Sequence, residues 1–288
     1  MDRPDSDSRD NSRQEVWLCS PGLGLSCFAC CPPIRPAGYD HYPHRRELRR
    51  EFVLHRQHFI AGRLPRRPLV GFTCPGMGFL DPGGRRVGCL LHPARNQGRD
   101  LRELTGYGDK CARESCPETR AFRLLSAAER ACLLEPCRGM DPFQFSSRSQ
   151  NPLMRLMALG PEVARQAAGL GGGWPVPLQE SGCLDDLEPS RGWLLARLLE
   201  RWGKGYLRRP GLAGVVEELA GELKLRLMPQ PPLEASGEPL GSLCDEWEAR
   251  WWRALLGRRQ GRREELERWR RVLAGLLDEL GNSVRAGI

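Results

Sequence analysis

The chain has 288 residues, 40% hydrophobic and 28% charged, with a formal charge of +8 and a pI near 9.0. That length suits about two domains of globular composition rather than one small core. No run of 18 apolar residues is present, which excludes a hydropathic membrane-spanning helix, and the polar, mixed-charge stretch Met1–Asp10 has no apolar centre of the kind a secretory signal needs.

Residues 1–15 read as a disordered tail. Residues 16–142 are rich in Cys, Pro and Gly. One helix interrupts them, expected over Arg45 to Ile60, because Leu48, Phe52, His55 and Phe59 fall on one face. The Asp81-Pro82-Gly83-Gly84 turn signal separates Phe79-Leu80 from Val87–Leu91 and predicts a short hairpin. A second helix is expected from Glu118 to Leu134, opened by Pro117, with Phe122, Leu125, Ala128 and Cys132 sharing a stripe.

Residues 143–189 hold helical sequence from Leu153 to Leu170, restarted at Pro161, and a linker-like run Gly171–Pro177. Residues 190–288 read as a bundle of four helices. Ser190 is the expected N-cap of the first, and Pro210 opens the second along Leu212, Val216, Leu219, Leu223 and Leu227. Ser242 is the expected cap of the third, carrying Leu243, Trp247, Trp251, Ala254 and Leu255. The fourth follows Leu266, Trp269, Leu273, Leu276, Leu277 and Leu280. These stripes are read as core; a partner groove is the lesser reading. The expected fold class is therefore mainly α, with an irregular Cys-rich metal-binding domain and a C-terminal helical bundle.

Ten of the twelve cysteines lie between Cys19 and Cys137. Cys27-x2-Cys30 has the spacing that lets two thiolates reach one ion, and Cys31 follows directly. Cys74 and Cys89 stand near the two ends of the predicted hairpin, where it returns them to each other. Cys111 and Cys116 flank the start of the next helix. Without an export signal the expected compartment is the reducing cytoplasm, where such thiols hold metal rather than form disulfides. Cys27, Cys30, Cys31, Cys74, Cys89, Cys111 and Cys116 are thus the candidate ligands for zinc or iron, an iron–sulfur cluster included. Cys132, Cys137, Cys183 and Cys244 are expected bystanders.

Cys27-x2-Cys30-Cys31, then Cys74-Pro75 with Phe79-Leu80-Asp81, then Gly88-Cys89-Leu90-Leu91-His92-Pro93, resembles the bacterial zinc- or iron-chelating cysteine-cluster proteins of the YkgJ type. The resemblance spans residues 19–116 and implies a metal-binding domain with no assigned reaction. The family pattern leads with C-x2-C-x2-C-C; its first cysteine falls at Gly24 here, and Cys19 is the candidate replacement. His92-Pro93-Ala94-Arg95 stands where the family has an Arg-Pro step. Similar cysteine segments occur in flagellin lysine methylases, so an iron–sulfur enzyme or electron-transfer module is the second reading.

His92, three residues past Cys89, is a further candidate ligand or a support for one. His41 and His44, beside Asp40, are read as a polar turn capping the Arg45 helix, and His55 as a core histidine. Nine arginines between Arg35 and Arg67 against three acids raise a third reading, a basic nucleic-acid or protein-binding adaptor with structural zinc. A solvated helix face is preferred to a nucleic-acid footprint. A protein partner would engage the helical half, and no membrane partner is expected. No phosphate loop, dinucleotide fingerprint, His-Glu-x-x-His helix or catalytic triad is present.

Overall fold

The computed structural model describes residues 17–29, 31, 39–63, 73–113, 115–171, 174, 186–227 and 237–286. It is mainly helical. The first helix, α1 (Arg45–Ile60), follows a 3-10 turn, Tyr42–His44. It buries Leu48 and Phe52 and stops where Gly62 turns to φ 68°, a conformation glycine adopts without a Cβ penalty. No side chain caps its start, so the expected His41/His44 cap is not formed.

The hairpin forms as expected: β1 (Met77–Phe79) pairs antiparallel with β2 (Val87–Cys89), setting Met77 opposite Cys89. Asp81 closes its turn by accepting the Arg85 and Arg86 amides at 3.2 and 2.7 Å. The short helix α2 (Gly108–Arg113) follows.

The single helix expected over 118–134 is two: α3 (Pro117–Arg123) and α4 (Ala127–Leu134). Ser126 and Glu129 break it by forming a reciprocal capping box, at 3.2 and 2.6 Å, which satisfies amides at the start of α4. Next come α5 (Pro142–Ser146), α6 (Pro152–Leu159) and α7 (Pro161–Ala168), capped in turn by Asp141, by Asn151 and by the Gly160-Pro161 step.

In the C-terminal bundle, α8 (Gly192–Trp202) and α9 (Leu212–Leu227) precede a minimal β3–β4 pair (Glu238–Pro239 with Gln260–Gly261). Around that pair lie α10 (Leu240–Leu243), α11 (Glu246–Leu256) and α12 (Arg263–Ala286). Two caps differ from expectation. Ser190 lies in a 3-10 turn before α8 and caps nothing. Asp245, not Ser242, caps α11 by accepting the Trp247 and Glu248 amides at 2.8 and 3.0 Å. A carboxylate at that position adds a favourable interaction with the helix dipole that a hydroxyl lacks.

The larger core runs from Leu18, Leu25 and Cys27 through α3, α4, α6 and α7 into α8, α9, α11 and α12. Trp174, within the linker-like stretch, is 1% exposed and belongs to it. A smaller core joins Phe28, Leu48, Phe52, Cys74, Met77, Phe79, Val87 and Phe143. Its rings interlock: Phe28 meets Phe52 and Phe143 edge-on at 5.3 and 5.5 Å. Among the described residues no helix is long and apolar enough to cross a membrane.

Candidate metal centre

The segment Cys74-Pro75-Gly76-Met77 folds back on its own sulfur. The Gly76 amide donates to Cys74 Sγ at 3.4 Å, and the Met77 amide bears on the same atom. A Cβ at Gly76 would come within 2.7 Å of Leu91 Cδ1, so that side chain would have to move, and would lie 3.5 Å from Cys74 Sγ. Across the hairpin, the Leu91 amide faces the Cys89 sulfur. Amides aimed at sulfur stabilise its charged form.

Cys31 packs against the same small core, its amide held by the Phe28 carbonyl at 3.1 Å. Cys111 enters from α2, which Arg102 anchors through the Cys111 carbonyl at 2.9 Å. Asp100 orients that guanidinium, and the pairing holds the Asp100 carboxyl at about 2. Burial pushes the Cys74 thiol up to about 11 and the Cys89 thiol up to about 12. Cys31 and Cys111 act on both in the same direction, and Cys31 acts on Cys111.

A second set forms on the other side of the knot. The Cys27 amide donates to the Cys19 carbonyl at 3.1 Å. Cys19 Sγ lies 3.8 Å from the Thr119 hydroxyl, and the Thr119 amide donates to Cys116 Sγ at 3.4 Å, so one buried threonine contacts both sulfurs. Burial drives the Cys27 thiol well above its ordinary range, with Cys19 and Cys116 adding to the effect.

Cations ring both sets. Arg102 and Lys110 act on Cys111, and Arg95 lies near Cys89. Arg120 lies near Cys116, and Arg148 near both Cys116 and Cys27. Arg148 is fixed by Glu118, itself 2% exposed. Sequence reasoning misses Arg102, Arg148, Glu118 and Thr119 as site residues. Only the spacing of Glu118 and Thr119 from Cys116 signals them.

Cys30 and Cys183 lie outside the described residues. Among the described residues, no group of three or more His, Cys, Asp or Glu side chains is placed to hold a metal ion. His92 uses Nδ1 to accept the Ala94 amide at 3.2 Å, capping a 3-10 turn. His41 is buried, reaches the Ala29 carbonyl at 3.3 Å and packs on Phe28 at 4.6 Å. His55 sits 2.8 Å from the Met77 carbonyl, tying α1 to the hairpin. Cys132, Cys137 and Cys244 donate to the oxygens of Ala168, Asn151 and Leu240 at 3.6, 3.6 and 3.2 Å, as packed thiols do.

Several of the α1-region arginines serve the protein itself. Arg45 covers Tyr42, Arg49 covers Phe79 and Phe143, and Arg56 donates to the Phe79 carbonyl at 3.2 Å. That leaves fewer of them to face a nucleic acid. The geometry defines a mainly helical protein with a partly buried, multi-thiol region at its cysteine-rich end. No protein-family model, curated protein or solved structure matches the chain.

Proposed function

We propose that the chain is a thiolate metal-binding protein, with zinc or iron held by the cysteines of its first half. One observation carries the reading. Cys74 lies just before β1 and Cys89 ends β2 opposite Met77, while Cys31, from a distant stretch of sequence, packs against the small core that contains Cys74. Without a cation, burial holds the Cys74, Cys89 and Cys111 thiols above their ordinary range. A bound divalent ion reverses that balance and deprotonates its ligands.

The residue types suit the group. Four thiols match the all-cysteine ligation of structural zinc and equally that of an iron–sulfur cluster. The amides of Gly76 and Leu91 and the side chains of Arg102 and Lys110 supply hydrogen bonds and positive charge to the thiolates. When bound, zinc would supply cross-linking of loop-rich sequence, and an iron–sulfur cluster would supply one-electron transfer. Cys27 and Cys116, with Cys19, extend the set. The protein residues hold and screen the thiolates.

Anaerobic purification of the full chain, followed by metal and inorganic-sulfide analysis, tests the proposal. Stoichiometric zinc in a colourless preparation, or iron with sulfide in a brown one, supports it and separates the two forms. Protein that neither carries nor takes up zinc, iron or cobalt overturns it.

A further inference from the structure

Arginines are not treated alike along the chain. In the C-terminal bundle Arg191, Arg226, Arg258 and Arg270 each face a glutamate. Around the hairpin, Arg56, Arg86 and Arg95 have no carboxylate partner among the described residues. The acids closest to Arg56 and Arg86 in sequence are committed elsewhere. Asp81 accepts the Arg85 and Arg86 amides, and Glu51 accepts the Thr73 hydroxyl.

The backbone brings the three arginines to one place. Arg56, on α1, donates through Nη1 to the Phe79 carbonyl at 3.2 Å, and the next amide, that of Leu80, donates to the Arg86 carbonyl at 2.8 Å. A single peptide unit of the hairpin therefore stands between Arg56 and Arg86. Gly78 permits this close approach: a Cβ there would lie 3.2 Å from the Phe52 carbonyl oxygen, 3.4 Å from the Arg56 amide nitrogen and 2.7 Å from Leu90 Cδ1. Both α1 and Leu90 thus close on Gly78. The Leu90 carbonyl in turn accepts the Asn96 side chain at 2.9 Å, which pins the 3-10 turn Pro93–Arg95 to the end of the hairpin. Arg95 ends that turn. Burial lowers its ionisation, the like charges of Arg86 and Arg56 lower it further, and Cys89 acts the other way.

Arg86 also carries an orphan donor. Its Nη2 reaches the Ser20 hydroxyl at 3.3 Å, but its Nε is buried with no hydrogen-bond partner among the described residues. A buried N–H without an acceptor is costly, and neighbouring cations without counter-charge repel one another. A bound anion relieves both.

We infer that Arg56, Arg86 and Arg95 form a binding site for a phosphate group, either inorganic phosphate or a small phosphomonoester. Guanidinium forks match phosphate oxygens in pairs. A tetrahedral phosphate presents acceptors in several directions, as donors from three separate elements require, whereas a carboxylate offers two oxygens in one plane. A discrete phosphate fits better than a nucleic-acid track, because Arg45 and Arg49 lie over the rings of Tyr42, Phe79 and Phe143. The site stands independently of the thiolate-metal reading, since none of its residues is a proposed ligand there.

Calorimetric titration of the full chain with inorganic phosphate, and separately with glycerol 3-phosphate, tests the inference at an ionic strength held constant with potassium chloride. At least one probe should bind saturably at a single equivalent, and the tighter of the two identifies the source of the phosphate. Arg86→Gln and Arg95→Gln should each weaken that binding about tenfold or more, as loss of a charge-assisted hydrogen bond does. Arg86→Lys should weaken it too, because the charge remains but the fork is lost. Arg50→Gln removes the same charge from the exposed side of α1 and should change affinity less than about twofold, since salt screens it. Equal losses at Arg50 and Arg86 would mean diffuse attraction and overturn the site. So would the failure of both probes to saturate, or binding seen only with a DNA duplex.

Arg86 is half-buried, so the wild type supplies a measurement free of folding effects. Phenylglyoxal modification, followed residue by residue by mass spectrometry, should slow at Arg56, Arg86 and Arg95 when the bound probe is present and continue unchanged at Arg50. Slowing that is equal at all four, or absent from the three, overturns the inference.

Discussion

The Arg120 guanidinium spans two parts of the chain: it donates to Glu246 at 2.8 and 2.5 Å and also to the Ser115 carbonyl. Ser115 precedes Cys116, and Glu246 opens α11. One side chain therefore ties a cysteine-bearing loop to the C-terminal bundle. Both partners are more than one-third exposed, so the ion pair itself contributes little, about 0.5 kcal/mol after solvent screening. Arg120→Ala should lower global stability by no more than about 1 kcal/mol. It should weaken metal binding by the Cys19/Cys27/Cys116 set by about tenfold or more, as lost support around a ligand does. Urea unfolding alongside competitive metal titration separates the two effects.

Glu118 and Arg148 form a less exposed pair. The carboxylate is 2% exposed, while the arginine side chain remains half-exposed. Removing the arginine leaves a charge inside the protein, whereas removing the charge does not. Arg148→Ala should therefore cost about 3 kcal/mol, and Glu118→Gln clearly less. Equilibrium unfolding of both variants and their double mutant checks the asymmetry.

The hairpin, α1 and the stripe of α12 were legible because each rests on short-range periodicity or a local turn signal. Leu48 and Phe52 are buried, Asp81-Pro82-Gly83-Gly84 does turn, and Leu266, Trp269, Leu273 and Leu276 face inward. The break at Ser126 was written in the sequence as Ser-x-x-Glu but was overridden by an apolar stripe that continues across it. The packing of Cys27 into the larger core and of Cys31 against the smaller one was not legible. It depends on which core receives Phe28, a relation set by Phe52 and Phe143 far along the chain. Thr119 and Arg148 were hidden for the same reason: their partners are distant in sequence.

Two glycines separate local from global effects. At Gly76 an added Cβ meets Leu91 side-chain atoms, which can shift, beside Cys74 Sγ at 3.5 Å. At Gly192 it would land on the Leu159 backbone carbonyl, where the start of α8 crosses the end of α6. Gly76→Ala should cost about 1 kcal/mol and reduce metal affinity, whereas Gly192→Ala should cost about 3 kcal/mol or more, because only backbone movement accommodates it. Thermal unfolding with metal titration distinguishes them.

Asp40 fastens the turn before α1 to the loop after α5. Its oxygens accept the Tyr42 amide at 2.8 Å, the Ser147 hydroxyl at 2.8 Å and the Ser149 amide at 2.9 Å. Burial opposes its charge, but these hydrogen bonds outweigh burial and hold the carboxyl below its ordinary range. A depressed carboxyl contributes stability that is fully present above its unfolded-state pKa, about 3.9, and is lost as pH falls through the folded value. Acid should therefore loosen this junction below about pH 4. Asp40→Asn should flatten that part of the stability–pH curve and reduce stability at neutral pH. Chemical denaturation from acid to neutral pH would show a slope unchanged by the substitution if Asp40 were not responsible.

Metal removal should act unevenly along the chain. Cys74 and Cys89 lie in the hairpin unit, whose short strands join only the smaller core. By contrast, α3 and α4 share the larger core with α6, α7 and α8. A bound ion contributes its binding free energy to whatever structure its ligands join. Anaerobic chelation should therefore speed amide exchange in residues 73–91 while leaving α6, α8 and α11 protected. Exchange that rises uniformly through the bundle would mean that the ions support the whole fold. Exchange unchanged at residues 73–91 would remove the proposed role of Cys74 and Cys89.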